Sequence, residues 1–259
     1  MYLIFGGILF VLWSICAIGS SANSTISIGY DYKQWTFQAQ LVVPEAAKYG
    51  NAPFGLAGRG FVRLVSGYST GPLPSDVGVY IHTTDDGILR TGGLASWTVH
   101  AKLRPASIQA TVRPGEVASA VKLPDGFGSW LVGDASTIIV SAPGSFGASG
   151  AVYIFNGTLR HWTQIQTLAV STAVAAAPGI YTKDFDGGDK FGGRMVLQDD
   201  RLLISSEGSD QAIGAAFVFE RNTKTLTWSL QQKLVSLNTN PGSHISRASS
   251  LYGNTAILS

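Results

Sequence analysis

Residues 188–234 read GDKFGGRMVLQDDRLLISSEGSDQAIGAAFVFERNTKTLTWSLQQKL. Four short apolar runs fill this stretch: FGGRMVL, RLLISS, AAFVFE and WSLQQKL. Gly, Asp, Ser or Asn separates each run from the next, so the stretch predicts four strands joined by tight turns. The same order recurs upstream. A Phe-Gly pair opens each unit, at Phe54-Gly55, Phe127-Gly128 and Phe191-Gly192. An apolar run ending in small residues follows, at 61–66, 137–142 and 201–206. A glycine then leads an aromatic strand: Gly78-Val-Tyr-Ile-His, Gly150-Ala-Val-Tyr-Ile-Phe and Gly214-Ala-Ala-Phe-Val-Phe. The last run opens on Trp97, Trp162 or Trp228 and closes on Leu six positions later. Trp35 opens a fourth copy of that signature, WTFQAQL, and the four Trp residues stand 62, 65 and 66 residues apart. A near-constant period with an ordered signature means one supersecondary unit copied along the chain.

Within the Trp segment one numerical parity holds Trp162, Gln164, Gln166 and Leu168, and likewise Trp228, Leu230, Gln232 and Leu234. Strand side chains alternate between faces, so Trp and Leu are expected together on the face that packs against a neighbour. Asn156-Gly157 is the strongest short hairpin signal in the chain and predicts an exposed turn there. A four-stranded meander cannot bury both of its faces alone, whereas radial repetition covers them. The expected fold is therefore all-β: a β-propeller of four-stranded antiparallel blades.

The ordered set Gly-Asp-Lys-Phe-Gly-Gly-Arg-Met-Val-Leu, Leu-Leu-Ile-Ser-Ser, Gly-Ala-Ala-Phe-Val-Phe-Glu and Thr-Trp-Ser-Leu-Gln-Gln-Lys-Leu resembles an FG-GAP repeat. The second copy adds Ser141-Ala142-Pro143-Gly144, close to the Gly-Ala-Pro part of that motif, while the first copy ends Val65-Ser66-Gly67 without it. The resemblance covers residues 31–259, with repeats at about 50–103, 120–168 and 185–234 and a partial one at 243–259. In the partial repeat Ile245-Ser246 stands where Phe-Gly belongs. The resemblance implies an integrin α-like propeller used in extracellular recognition. Three repeats and part of a fourth cannot close a ring, and residues 35–41 lack three preceding strands. The expectation is an incomplete propeller, the front of a longer one. The family's Ca²⁺ loops are not carried over. The equivalent connections, Gly133-Asp134-Ala135-Ser136 and Gln198-Asp199-Asp200-Arg201, lack the spaced carboxylates of a six- to eight-oxygen site.

Charged residues are 13% of the 259, about half the usual ~25%, while Gly reaches 31. That balance suits a turn-rich β protein. Net charge is +2 with no basic stripe, which gives nucleic acid no electrostatic foothold. The single cysteine, Cys16, lies in the apolar run from Tyr2 to Ile18, followed by Gly19-Ser20-Ser21-Ala22. Residues 1–22 read as a signal peptide or an uncleaved membrane anchor, with a buried strand or helix as the remaining reading. Either of the first two sends the chain to the cell surface or outside the cell and confines any membrane contact to this segment.

Chemistry-bearing motifs are sparse. Asp184, Asp186 and Asp189 resemble half of a cation loop; a solvated turn held by Asx hydrogen bonds is the preferred reading, a weak cation site the other. His82, His100, His161 and His244 show no ligand spacing, and no nucleophile elbow or dinucleotide loop occurs. Asn156-Gly-Thr158 is a glycosylation sequon, expected in the exposed turn. The repeated Phe, Gly and Trp residues, Trp35 among them, are expected to be structural. No catalytic, cofactor or metal residue is assigned. The expected function is non-enzymatic extracellular recognition or adhesion toward a protein or glycan. The alternatives are a propeller-based hydrolase or lyase, or a truncated structural fragment without activity.

Overall fold

A computed structural model gives the fold. It describes the backbone alone at residues 3–5, 8–10, 24–26, 39–41, 55–57, 63–69, 82–84 and 97–100. Backbone and side chains are described for 78–81, 101–106, 126–134, 136–158, 161–169, 188–236 and 240–259. Strands dominate, and every named pairing between them is antiparallel. Two short hairpins come first. In one, β1 (Leu3–Phe5) pairs with β2 (Ile8–Phe10); in the other, β3 (Ser24–Ile26) pairs with β4 (Ala39–Leu41). The run expected as a signal or anchor thus contains two paired strands, and residues 39–41, expected to stand alone, have a partner. Among the described residues no helix is long and apolar enough to cross a membrane. Trp35, Phe54, Asp184 and Asp186 lie outside the described residues.

Three four-stranded sheets follow, each in chain order. The first holds β5 (Gly55–Ala57), β6 (Arg63–Ser69), β7 (Gly78–Thr84) and β8 (Trp97–Leu103). The second holds β9 (Leu131–Gly133), β10 (Thr137–Ala142), β11 (Ala151–Thr158) and β12 (His161–Ala169). The third holds β13 (Phe191–Gln198), β14 (Arg201–Ser206), β15 (Ala215–Arg221) and β16 (Trp228–Val235). A two-stranded sheet, β17 (Ser249–Tyr252) and β18 (Thr255–Leu258), comes last.

The fourth strand of each sheet corrects the expected placement of Trp and Leu. Register shifts occur at Ile81/His82, Ile154/Phe155 and Val218/Phe219, three equivalent positions. Each shift leaves one residue of the outer strand unopposed: His100, Ile165 and Gln231. An extra residue in one strand reverses its side-chain parity beyond that point. Trp228 and Leu230 therefore share the face of Phe219, whereas Gln232 and Leu234 lie across from Val218 and Ala216 on the other face. Leu168 likewise sits opposite Val152, on the face away from Gln164 and Phe155. In the second and third sheets Trp and its closing Leu point to opposite sides of the sheet. The same registers set Gly78 level with Ala151 and Ala215, one place after Gly150 and Gly214.

Two cores result, each between consecutive sheets. Val79, Ile81 and Leu103 of the first sheet pack against Phe127, Tyr153 and Phe155 of the second, with Trp162 partly buried beside them. From the other face of the second sheet, Ile139, Val152, Ile154 and Leu168 meet Phe191, Phe217, Phe219 and Trp228 of the third. The second sheet thus offers an aromatic face backward and an aliphatic face forward, the first meets it with an aliphatic face and the third with an aromatic one. The Phe of each Phe-Gly pair packs edge-on against its own third strand in both copies. Phe127 to Tyr153 is 5.5 Å at 69°, and Phe191 to Phe217 is 5.4 Å at 65°. Such pairs add about 0.5–1.5 kcal/mol beyond burial.

Asn156 is not in the hairpin turn. It lies within β11 opposite Thr163, and the ladder runs on to Thr158 and His161. Its Nδ2 is buried.

Ser246 carries the repeat pattern in strained form. Gly128 and Gly192 have φ of 92° and 93°, and Ser246, at the equivalent place, has φ of 79°. A side chain disfavours that region, and the Ser246 Oγ is buried with no hydrogen-bond partner among the described residues. Ser246→Gly is expected to stabilise the chain by about 1 kcal/mol, raising Tm by roughly 2–4 °C in thermal denaturation. A lower Tm would contradict the assignment.

Candidate functional site

Two ends of the sheet stack carry the polar side chains. At one end of the second and third sheets the second strand turns sharply into the third. Residues 145–148 and 209–212 form matching turns: Phe146, Gly147 and Ala148 have φ of 52°, 67° and 69°, and Asp210, Gln211 and Ala212 have 54°, 61° and 61°. Three successive left-handed residues are costly, at about 1–2 kcal/mol for each that is not glycine. Packing against the next sheet holds them. The Ala148 and Ser149 carbonyls accept the Lys190 and Phe191 amides at 2.9 and 3.0 Å. The Ala212 and Ile213 carbonyls accept the His244 and Ile245 amides at 2.8 and 2.7 Å. Ile245 thus occupies the place of Phe191 in the next sheet.

The tips of the two turns differ in chemistry. Phe146 is 67% exposed, an aromatic ring held out by a strained backbone. At the equivalent position Asp210 pairs with Lys233 at 2.7 Å. Between the turns, Glu207 receives Lys190 at 2.8 Å and Arg247 at 3.0 Å. The Lys190 hydrogen bond, opposed by partial burial and reinforced by Arg247, holds the Glu207 carboxyl below its ordinary value. Asp189 was expected in a solvated turn, but it is buried. Its backbone carbonyl accepts the Ser206 hydroxyl at 2.7 Å and the Gly208 amide at 3.0 Å. Among the described residues no group of three or more His, Cys, Asp or Glu side chains could hold a metal ion.

At the opposite end Arg221 ties the second and third sheets together. Its Nη1 donates to Asp134 Oδ2 at 2.7 Å and its Nε to Asp200 Oδ1 at 2.7 Å. The guanidinium also lies over the Trp228 ring, 5.4 Å from its centroid. The other Asp134 oxygen accepts the Ser136 and Thr137 amides, both at 2.9 Å, in a side-chain-closed turn. In the short connections set aside as Ca²⁺ loops, the Asp134 and Asp200 carboxylates thus serve an arginine.

Of the repeat residues expected to be structural, Phe127, Phe191 and Trp228 are buried and Trp162 is partly so. For Gly55 and Trp97 the backbone positions, at the starts of β5 and β8, are described. Sequence reasoning overlooked Phe146, Arg221 and Gln166. Phe146 follows Ser141-Ala142-Pro143-Gly144, outside the residues given a role in the sequence. Gln166 accepts the Trp228 amide at 2.7 Å and donates to the Trp228 carbonyl at 2.8 Å, joining two sheets through side chain and backbone. The signal was a Gln four places after Trp in two copies.

No protein-family model and no curated protein matches the sequence.

Burial tends to raise the Asp134 carboxyl, but hydrogen bonds from Ser136, Arg221 and Thr137, with the guanidinium charge, hold it below its ordinary value. A carboxyl depressed on folding stabilises above its unfolded pKa, and that contribution fades as pH falls through the folded value. Asp134→Asn is therefore expected to cost about 1 kcal/mol at pH 7 in urea denaturation. The difference from the native chain should shrink below about pH 4. A cost independent of pH would contradict the assignment.

Proposed function

We propose that the chain is a non-enzymatic recognition module of the β-propeller type, with FG-GAP-like blades, acting outside the cell or at its surface. It takes a protein or glycan ligand through the end that carries the left-handed turns. Three successive antiparallel meanders, stacked face to face with one unit's pattern, support the blade reading. The observation that carries the functional reading is the pair of turns. Their backbones match residue for residue, yet one presents an exposed Phe146 and the other an ion-paired Asp210. A fixed scaffold that varies only its tip side chains is the arrangement of a binding surface. An exposed aromatic at such a tip is a preferred anchor for a ligand.

The test is binding of the labelled protein to a glycan array and to cell surfaces, native chain against Phe146→Ser. The ring is 67% exposed, so the variant should melt within about 2 °C of the native chain. Its binding should fall about tenfold or more. No binding by the native chain on either platform, or equal binding by the variant, would overturn the reading.

A further inference from the structure

Arg221 and Arg194 each lie over an indole ring, and they differ in what closes the pair. The Arg221 guanidinium stands 5.4 Å from the Trp228 centroid, is only 14% exposed and meets both Asp134 and Asp200. The Arg194 guanidinium stands 4.5 Å from the Trp130 centroid on an exposed residue. Its Nη1 donates to the Gly193 carbonyl at 3.0 Å, and among the described residues no carboxylate meets it. The pair is nonetheless held in place. Trp130 Nε1 donates to the Met195 carbonyl at 2.8 Å, across the boundary between the second and third sheets. The Arg194 amide donates to Ser205 Oγ at 2.7 Å. The fold does not require a charge here, because the registers set Trp130 and Ala248 at the equivalent places in the second and fourth sheets.

We propose that the Arg194 guanidinium beside Trp130 is a binding site for the single carboxylate of an acidic sugar, a uronate. The chain's own solution at Arg221 shows the chemistry that closes such a pair: a guanidinium steadied by an indole and met by carboxylates. At Arg194 the Nε and Nη2 donors, one edge of the planar fork, have no acceptor among the described residues, and that edge matches a carboxylate bidentately. Charge selects among anions. Lys190 and Arg247 both pair with Glu207, so one guanidinium is left for the ligand. That suits a monoanion, whereas a polyanion calls for a run of cations. Trp130 is only partly buried and supplies apolar ring surface beside the fork for the C–H groups of a sugar. The choice of a sugar rests on the recognition reading above, but the site uses none of the turn-tip residues.

The experiment titrates galacturonate, galactose and acetate separately into the isotopically labelled full chain and follows the Arg194 Nε–H and Trp130 Nε1–H signals by NMR. Galacturonate should move both saturably, with a Kd on the order of 1 mM. Galactose should move neither, and acetate should bind at least about fivefold more weakly. The Arg221 Nε–H signal, closed by its own carboxylates, should stay in place. Arg194→Lys keeps the charge and loses the fork, so galacturonate should bind about tenfold more weakly, read at Trp130. Arg194 is exposed, and circular dichroism melting should show that variant folded. Phe146→Ser should bind galacturonate as the native chain does, which separates this site from the turn tips. No saturable shift below about 20 mM galacturonate would overturn the proposal. So would acetate binding as tightly as galacturonate, or an affinity unchanged by Arg194→Lys.

Discussion

The sheets of this protein are joined backbone to backbone, and that approach leaves no room for a side chain. Gly150 forms a parallel bridge with Phe191, and a Cβ there would stand 2.2 Å from the Phe191 carbonyl oxygen. At Gly214 a Cβ would stand 2.0 Å from the Ile245 carbonyl oxygen. These glycines close the left-handed turns and let each turn's carbonyls meet the amides that open the next sheet. The turn strain, the position of each Phe-Gly element and the spacing between sheets all follow from this clasp. Without it the strained turns would have nothing to hold them.

The second determinant is the bulge in the outer strand. A regular strand would send Trp and its closing Leu into one interface and leave the other face poor in apolar surface. One extra residue divides them: Trp228 joins the core behind its sheet, while Leu168, at the closing position one repeat earlier, joins the core in front. Every sheet can then serve as both donor and acceptor in a series. Polar bonds fix the series laterally, through Gln166 to Trp228 near the outer edge and Arg221 to Asp134 and Asp200 at one end. Arg221 is only 14% exposed, and its two carboxylates compensate the charge it brings out of water.

Much of the strand architecture was legible because it lies in composition and order. The apolar second strand, the aromatic third and the Trp-led fourth appear in the structure in that sequence within each sheet, and in the second and third sheets the Phe-Gly pair stands before or at the start of the first strand. What was not legible depends on register. A bulge leaves no mark in hydrophobic alternation, because Trp228, Leu230, Gln232 and Leu234 still fall on one numerical parity. Asn156-Gly157 carries strong turn chemistry, yet the ladder continues through it, since pairing two residues further is compatible with the flanking strands. Asp189 looked like a solvated turn residue because its burial arises from contacts 17 residues away, at Ser206. Phe146 was invisible as a surface feature because aromatic residues elsewhere in the repeat are core.

The clasp is tested most directly by comparing alanine at two glycines in one turn. Gly147 and Gly150 both have positive φ, 67° and 89°, but a Cβ at Gly147 meets nothing within 4 Å. Backbone strain is therefore common to both, and only Gly150 faces the next sheet. In urea denaturation Gly147→Ala should cost about 1 kcal/mol. Gly150→Ala should cost at least about 2–3 kcal/mol more, because the two backbones must separate. Equal costs at the two positions would contradict the claim that backbone contact between sheets governs this fold.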